Sequence, residues 1–167
     1  MEEKELIGKF SNIYIMLLYS IMTSDIERVR HFLSTELYEK YKNMILEHQK
    51  NNEVQMYDEL NVFKIEILNT RNEGDKIVTT VKLISRYMDY IMDNTTKKLK
   101  SGINTHRVEK TNILTFIKTN KEVNKVIHTC PNCGANLDIN YTGVCPFCKK
   151  SVDLTNEDYI LVDIQTN

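Results

Sequence analysis

The hydrophobic residues of this chain change period once, between residues 50 and 60, and that change limits what it can fold into. Before it, Phe10, Ile13, Tyr14, Leu17, Leu18 and Ile21 recur at intervals of three and four, the spacing of one face of a helix. This amphipathic helix is expected to stop near Thr23. There Ser24 and Asp25 offer a fresh N-cap to a second, short helix, SDIERVRHFL. Ser34 caps a third helix, STELYEKYKNMILEHQKNN, in which Leu37, Tyr41, Met44 (or Ile45) and His48 keep the period. After the change, LNVFKIEILNTRNEGDKIVTTVKLISRYMDYIMDN alternates with period two and is rich in β-branched residues. Helices first and strands afterwards, without interleaving, is the pattern of an α+β domain.

Alternation also assigns faces. Phe63, Ile65 and Ile67 fall on one side of the first strand, with Lys64 and Glu66 on the other. Asn72-Glu73-Gly74-Asp75 supplies the turn into a second strand, apolar on both faces as a central strand would be. A polar connection, NTTKKLKSGIN, leads to a third strand around HRVEKTNILTFIKTN. The chain then runs through a second polar link and a cysteine-rich module to a last strand, DYILVDI. A strand after the module predicts an insertion between two strands of one sheet. The expected division is an α+β domain over residues 1–127 plus 157–167, with the module at 128–156.

The module contains every cysteine of the chain, in CPNCGANLDINYTGVCPFCKK. Cys130 and Cys133 are two residues apart, as are Cys145 and Cys148, with eleven residues between the pairs. Such spacing lets a tight turn aim two thiolates at one point, and two such turns complete a tetrahedron around one Zn²⁺. Proline after the first cysteine of each pair presets φ, and Gly134 sits where positive φ is expected. Disulfides would need an oxidising compartment, and a thioredoxin-type pair would come singly. Four thiolates also suit iron, as in rubredoxin-type or iron–sulfur sites. Structural zinc on Cys130, Cys133, Cys145 and Cys148 is the preferred reading, and catalytic zinc is disfavoured because four thiolates leave no open position.

Net charge is −1, and bound thiolates would make the chain more acidic still. The even total hides a segregation: residues 1–75 carry 14 acidic and 9 basic side chains, whereas residues 97–125 carry 8 basic and 2 acidic. Lys97, Lys98, Lys100 and Arg107 could meet an anionic surface such as phospholipid headgroups. The plainer reading is a lysine-rich hairpin kept soluble and protected at its edge. Nucleic acid is disfavoured, since the loop between the cysteine pairs has no lysine or arginine. The start, MEEKELIGKF, is acidic where a signal peptide needs a basic leader, and the 10 residues of IYIMLLYSIM are too few to span a bilayer. A cytoplasmic protein is expected, peripheral to the inner face of a membrane where it meets one.

No HExxH, GxSxG, P-loop or GxGxxG is present. His31 and His48 lie in amphipathic helices and read as satisfied or surface residues; His106 and His128 carry no motif. Asp89 and Asp93, with Tyr87 and Tyr90, could line a cavity, and alternation puts Asp89 on one face with Tyr87 and Ile91. Carboxylates of this kind can serve acid–base chemistry, but near a strand end they are more often exposed.

The run from Met16 to Asn69 resembles the start of the Tim44-like domain family. Asp25, Glu27, Leu33, Ser34, Glu36 and Leu37 match its D-x-E-x-x-x-x-x-L-S/T-x-E-L turn, and Leu60, Val62, Ile65 and Ile67 loosely match its I-x-V-x-x-I-x-I strand. Bacterial members often carry an L-T-F strand, a C-P-N-C-G-A cluster and a terminal W-V-L strand. Here those are Leu114-Thr115-Phe116, the 130–148 cluster and Tyr159-Ile160-Leu161. The chain departs from the pattern at Tyr159, where tryptophan is common, and at Lys149 after the last cysteine.

The resemblance runs from about residue 8 to the end. It implies a cone-like fold of the cystatin or nuclear-transport-factor-two kind, with N-terminal helices over the concave face of a curved antiparallel sheet, often around an apolar pocket. It also implies a non-enzymatic role at membranes or on partner proteins; in the mitochondrial member that role is recruiting a chaperone and touching anionic lipid. The expected function is therefore a non-catalytic binding or scaffold module, associated with a protein partner or a membrane, with a structural zinc ribbon inserted before the last strand. A small-ligand binder or enzyme using the cone interior is one alternative, and a zinc-ribbon nucleic-acid binder is another.

Overall fold

A computed structural model describes residues 2–119, 148 and 159–167. Helix α1 (Glu3–Met22) leads through two 3₁₀ turns (Ile26–Arg28 and Arg30–Phe32) to helix α2 (Thr35–Lys50). The strands β1 (Glu53–Glu73), β2 (Lys76–Asp93), β3 (Leu99–Gly102), β4 (Val108–Thr119) and β5 (Ile160–Thr166) follow. They form one antiparallel sheet in the order β1-β2-β4-β5, with β3 beside the end of β2. Helices packed on an antiparallel sheet make the domain α+β, as the change of period requires. Because β5 pairs with β4, the cysteine segment lies in the chain between two neighbouring strands.

One face of the sheet is covered by α1. Phe10 stacks on Phe116 of β4 with ring centroids 4.1 Å apart and meets Tyr159 edge-on at 5.0 Å. Ile13, Leu17 and Ile21 are buried beside Val81, Leu83, Leu114 and Leu161, so the helical stripe and the alternate strand residues share one core. Tyr14 carries a polar atom into it and satisfies that atom on Ser85, hydroxyl to hydroxyl at 2.7 Å, as a buried group must. Ser34 caps α2, its side chain accepting from the Leu37 amide at 3.2 Å. The Ser34 amide donates to the Leu161 carbonyl at 2.9 Å, which ties the helical layer to β5.

Three local features differ from the sequence expectation. Residues 24–33 form two 3₁₀ turns instead of one short α-helix, with bonds such as Val29 N–H to the Ile26 carbonyl closing over three residues. Buried Ile26 and Val29 are three apart, the 3₁₀ period, and so few residues cannot repay α-helix nucleation. Phe63 is 54% exposed, whereas Val62, Ile65 and Ile67 pack on the core. The register steps from Val62–Ser85 to Lys64–Ile84, leaving Phe63 as an extra bulge residue whose phase is inverted. Phe63 instead lies under the Arg86 guanidinium, 4.1 Å from its centroid.

The third difference is β3, which occupies part of the expected polar connection. Asp93 builds the turn into it, its carboxylate accepting from the Thr95 and Thr96 amides at 2.9 and 2.7 Å. Gly102 ends it at φ +90°, where a Cβ would press into the Asp89 carbonyl and stand 2.6 Å from Tyr90 Cα. Gly102→Ala is therefore expected to cost about 2 kcal/mol from backbone strain plus displacement of β3. Urea unfolding should show a lowered midpoint with an unchanged slope.

Candidate interaction site

Four tyrosines in or against the core, Tyr14 and Tyr87 buried and Tyr41 and Tyr57 half-buried, come from four elements. Tyr14 belongs to α1, Tyr41 to α2, Tyr57 to β1 and Tyr87 to β2. Tyr57 and Tyr87 meet edge to face at 5.1 Å. Antiparallel register sets Tyr57 opposite Asp89 and Gln55 opposite Ile91, and Gln55 Nε2 donates to Asp89 Oδ1 at 2.8 Å. From β4, opposite Ser85, Lys110 brings its Nζ to 4.0 Å from Asp89 Oδ2.

Burial is the main cause that raises all four phenols. Tyr41 is pushed up to about 12, and Tyr57 and Tyr87 are raised strongly. The negative charges of Asp89 and of the neighbouring phenolates raise Tyr57 and Tyr87 further. An unfolded tyrosine ionises near 10.0, so above that pH the unfolded chain releases protons that the folded chain keeps. Stability is thus intact below pH 10 and is expected to fall as pH rises from about 10 to about 12. Tyrosinate absorbance and far-UV dichroism followed together should change in one cooperative step for these four residues.

Of the pairs read from the sequence, Asp89 and Tyr87 do share this face. Asp93 is engaged in the β2–β3 turn. Tyr90 lies on the opposite face, donating to Asp58 Oδ2 at 3.2 Å. Tyr57 and Gln55 join Asp89 through a register that the bulges of β1 set, and no sequence period reports that. His48 is satisfied as expected, its Nδ1 lying 2.6 Å from Glu53 Oε2. Glu53 also holds Lys100 at 2.7 Å; these contacts, Lys100 first, keep the Glu53 carboxyl below its usual range. His31 packs edge-on against Phe32, and His106 is exposed. His128 lies outside the described residues.

The β2–β3 hairpin forms a second surface. Lys97, Lys98 and Leu99 (46% exposed) are exposed there, and the link from β3 to β4 exposes Ile103 (40%) and Arg107. Among the described residues Lys97 reaches only the Asn94 amide oxygen, at 3.3 Å, and no carboxylate pairs with it there. Among the described residues no helix is long and apolar enough to cross a membrane.

Of the zinc candidates, Cys148 lies in a turn and is partly exposed, while Cys130, Cys133 and Cys145 lie outside the described residues. Among the described residues no cluster of three or more histidine, cysteine, aspartate or glutamate side chains is placed to hold a metal. The zinc assignment therefore rests on the donor set, whose four thiols suit a closed tetrahedral ion.

A helical layer on one face of an antiparallel sheet, with tyrosines from four elements packed on or beside its core and a lysine-bearing hairpin at one end, defines a class of small α+β domain. The Tim44-like domain model matches residues 1–126, and the chain belongs to that family. The match begins at residue 1 and ends before the first cysteine, so it covers the helices and β1–β4 but neither the cysteine segment nor β5. Among solved structures, the intermembrane space region of the chloroplast protein ARC6 is similar. Its TM-score is 0.56 at 7% identity, over 99% of this chain and 96% of that one, a likeness of fold. No curated protein matches the chain in sequence.

Proposed function

We propose that this protein is a non-catalytic docking module that engages an anionic membrane surface or a membrane-bound partner through its α+β body. Membership of the Tim44-like domain family over residues 1–126 carries this reading. The segment from Lys97 to Arg107 supports it: exposed Leu99 and Ile103 in a run that also exposes lysines and an arginine suit an interfacial contact with acidic headgroups. In the same proposal the four cysteines hold one structural zinc ion and fasten the segment between β4 and β5. Zinc there would supply cross-linking and no chemistry of its own, as a closed thiolate site leaves no position for water or substrate.

Flotation with vesicles tests the reading. The chain should rise with vesicles rich in anionic lipid, stay behind with zwitterionic ones, and be released as salt is raised, because the basic residues act through a screened field. Equal binding to both lipid types, or none to either at low salt, would remove the membrane surface from the proposal.

A further inference from the structure

We propose that the free edge of β1 pairs with the same edge of a second copy of this chain, the two strands running antiparallel about a two-fold axis through Ile65. β1 borders the sheet. It pairs with β2 on one side, and from Asn61 to Thr70 no described residue pairs with its other side. Its outward amides and carbonyls are thus a template for a further strand. Natural sheet edges are blunted by prolines, by lysines or by a covering element. The run NVFKIEILNT has no proline and a single lysine.

The charges of this run are self-complementary. With Ile65 on the axis, Lys64 lies directly opposite the partner's Glu66, and Glu66 opposite the partner's Lys64. Both side chains stand on the sheet face away from the helices. In register they meet Ile84 and Lys82 of β2, which alternate with the core residues Val81 and Leu83. Among the described residues neither Lys64 nor Glu66 enters an ion pair. Opposite charges placed across an antiparallel pair attract, and like charges repel. An axis through Lys64 or through Glu66 would set each of these residues against its own copy, so the charges select Ile65.

The bulges fit the same axis. Phe63 and Leu68 are the extra residues at two register steps of β1, and they are 54% and 50% exposed. Outward from the axis, Lys64 faces the partner's Glu66, Val62 faces the partner's Ile67, and Asn61 faces the partner's Asn69. Each strand contributes one extra residue over that interval, so the two bulges cancel and the register is kept. Val62 and Ile67 both turn toward the core, as residues facing each other across a pair must. The extra residues, Phe63 and the partner's Leu68, come side by side. Arg86 covers the Phe63 ring from β2, and pairing covers what Arg86 leaves open.

Sedimentation equilibrium and amide hydrogen exchange on the full chain test the pairing. The chain should pass from a 19.6 kDa monomer to twice that mass as its concentration rises, with added exchange protection in the segment from Val62 to Ile67. Lys64→Glu and Glu66→Lys each set like charges opposite one another twice across the axis. Each should weaken self-association about tenfold, with dichroism confirming the fold. The double variant carrying both substitutions restores both attractions and should recover the dimer, while Lys98→Gln should leave it unchanged. Glu66→Lys also sets a second lysine opposite Lys82, in the single and the double variant alike, so recovery cannot arise within one chain. A monomer at every concentration would leave the edge to a strand of some other protein and overturn the proposal. A dimer whose double variant stays as weak as the single ones, or protection gained only in other strands, would overturn it too. Vesicle flotation reads a different surface, so either result can fail without the other.

Discussion

Replacing Phe10 by alanine is expected to cost about 4 kcal/mol of stability, the upper part of the range for a buried aromatic. Phe10 is fully buried and is the only ring of α1 that touches both Phe116 of β4 and Tyr159 just before β5 among the described contacts. Its loss removes apolar area and two aromatic contacts at once, and it empties the point where the helical layer meets two strands. A cavity there cannot collapse readily, because α1 is also held by Tyr14 on Ser85 and Phe116 is fixed by pairing on both sides. Phe10→Leu refills most of the volume and should cost only about 1.5 kcal/mol. Thermal unfolding checks both: a domain of this size loses roughly 3 °C per kcal/mol, so the alanine variant should melt roughly 12 °C early. Equal midpoints for the two variants would show that α1 is not fastened through this residue.

The second large effect concerns the metal. Structural zinc in four-thiolate sites is worth about 10–16 kcal/mol of apparent binding energy, and removing one ligand leaves three thiolates and an open position. Cys145→Ser is expected to abolish stoichiometric zinc retention, read by native mass spectrometry as the loss of one bound ion. The helical dichroism should stay, because the core joins α1 and α2 to β1, β2, β4 and β5, and Cys148, the one cysteine among the described residues, lies outside it. A chelator should act on the unaltered chain as the substitution does. Cooperative loss of the helix signal on chelation would mean instead that the ribbon is part of the main folding unit.

Much of the architecture was legible because each element carries its own period. The α1 stripe, the Ser34 cap, the turn at Gly74 and the pairing of a strand beyond the cysteines with the same sheet all stand where local residues put them. What was not legible depends on register. A single extra residue at Phe63 inverts the face of a side chain that alternation assigns to the core, and nothing in VFKIE marks the bulge. The short β3 exists because Gly102 lets its backbone lie against β2, a contact between residues far weaker in β-propensity than their neighbours.

The tyrosine cluster divides in the same way. Asp89 and Tyr87 share a face by alternation alone. Tyr57 reaches them only through a register that three irregularities interrupt, and Tyr14 looks like an ordinary core residue until its bond to Ser85 is known. Helical spacing specifies which side of a helix is buried; it does not say whether the far end of a buried phenol meets protein or water. The basic hairpin was visible in composition, but the exposure of Leu99 and Ile103 beside it required the β2–β3 turn.

The central claim is that binding resides in the α+β body and that the cysteines only fasten. One vesicle-flotation measurement on two variants separates the possibilities. The first variant replaces all four cysteines by serine; the second replaces Lys97, Lys98 and Arg107 by glutamine, with dichroism confirming that both stay folded. The account predicts that the cysteine variant floats with anionic vesicles as the unaltered chain does, and that the hairpin variant loses at least tenfold in affinity. A cysteine variant that no longer floats, beside a hairpin variant that does, would contradict it.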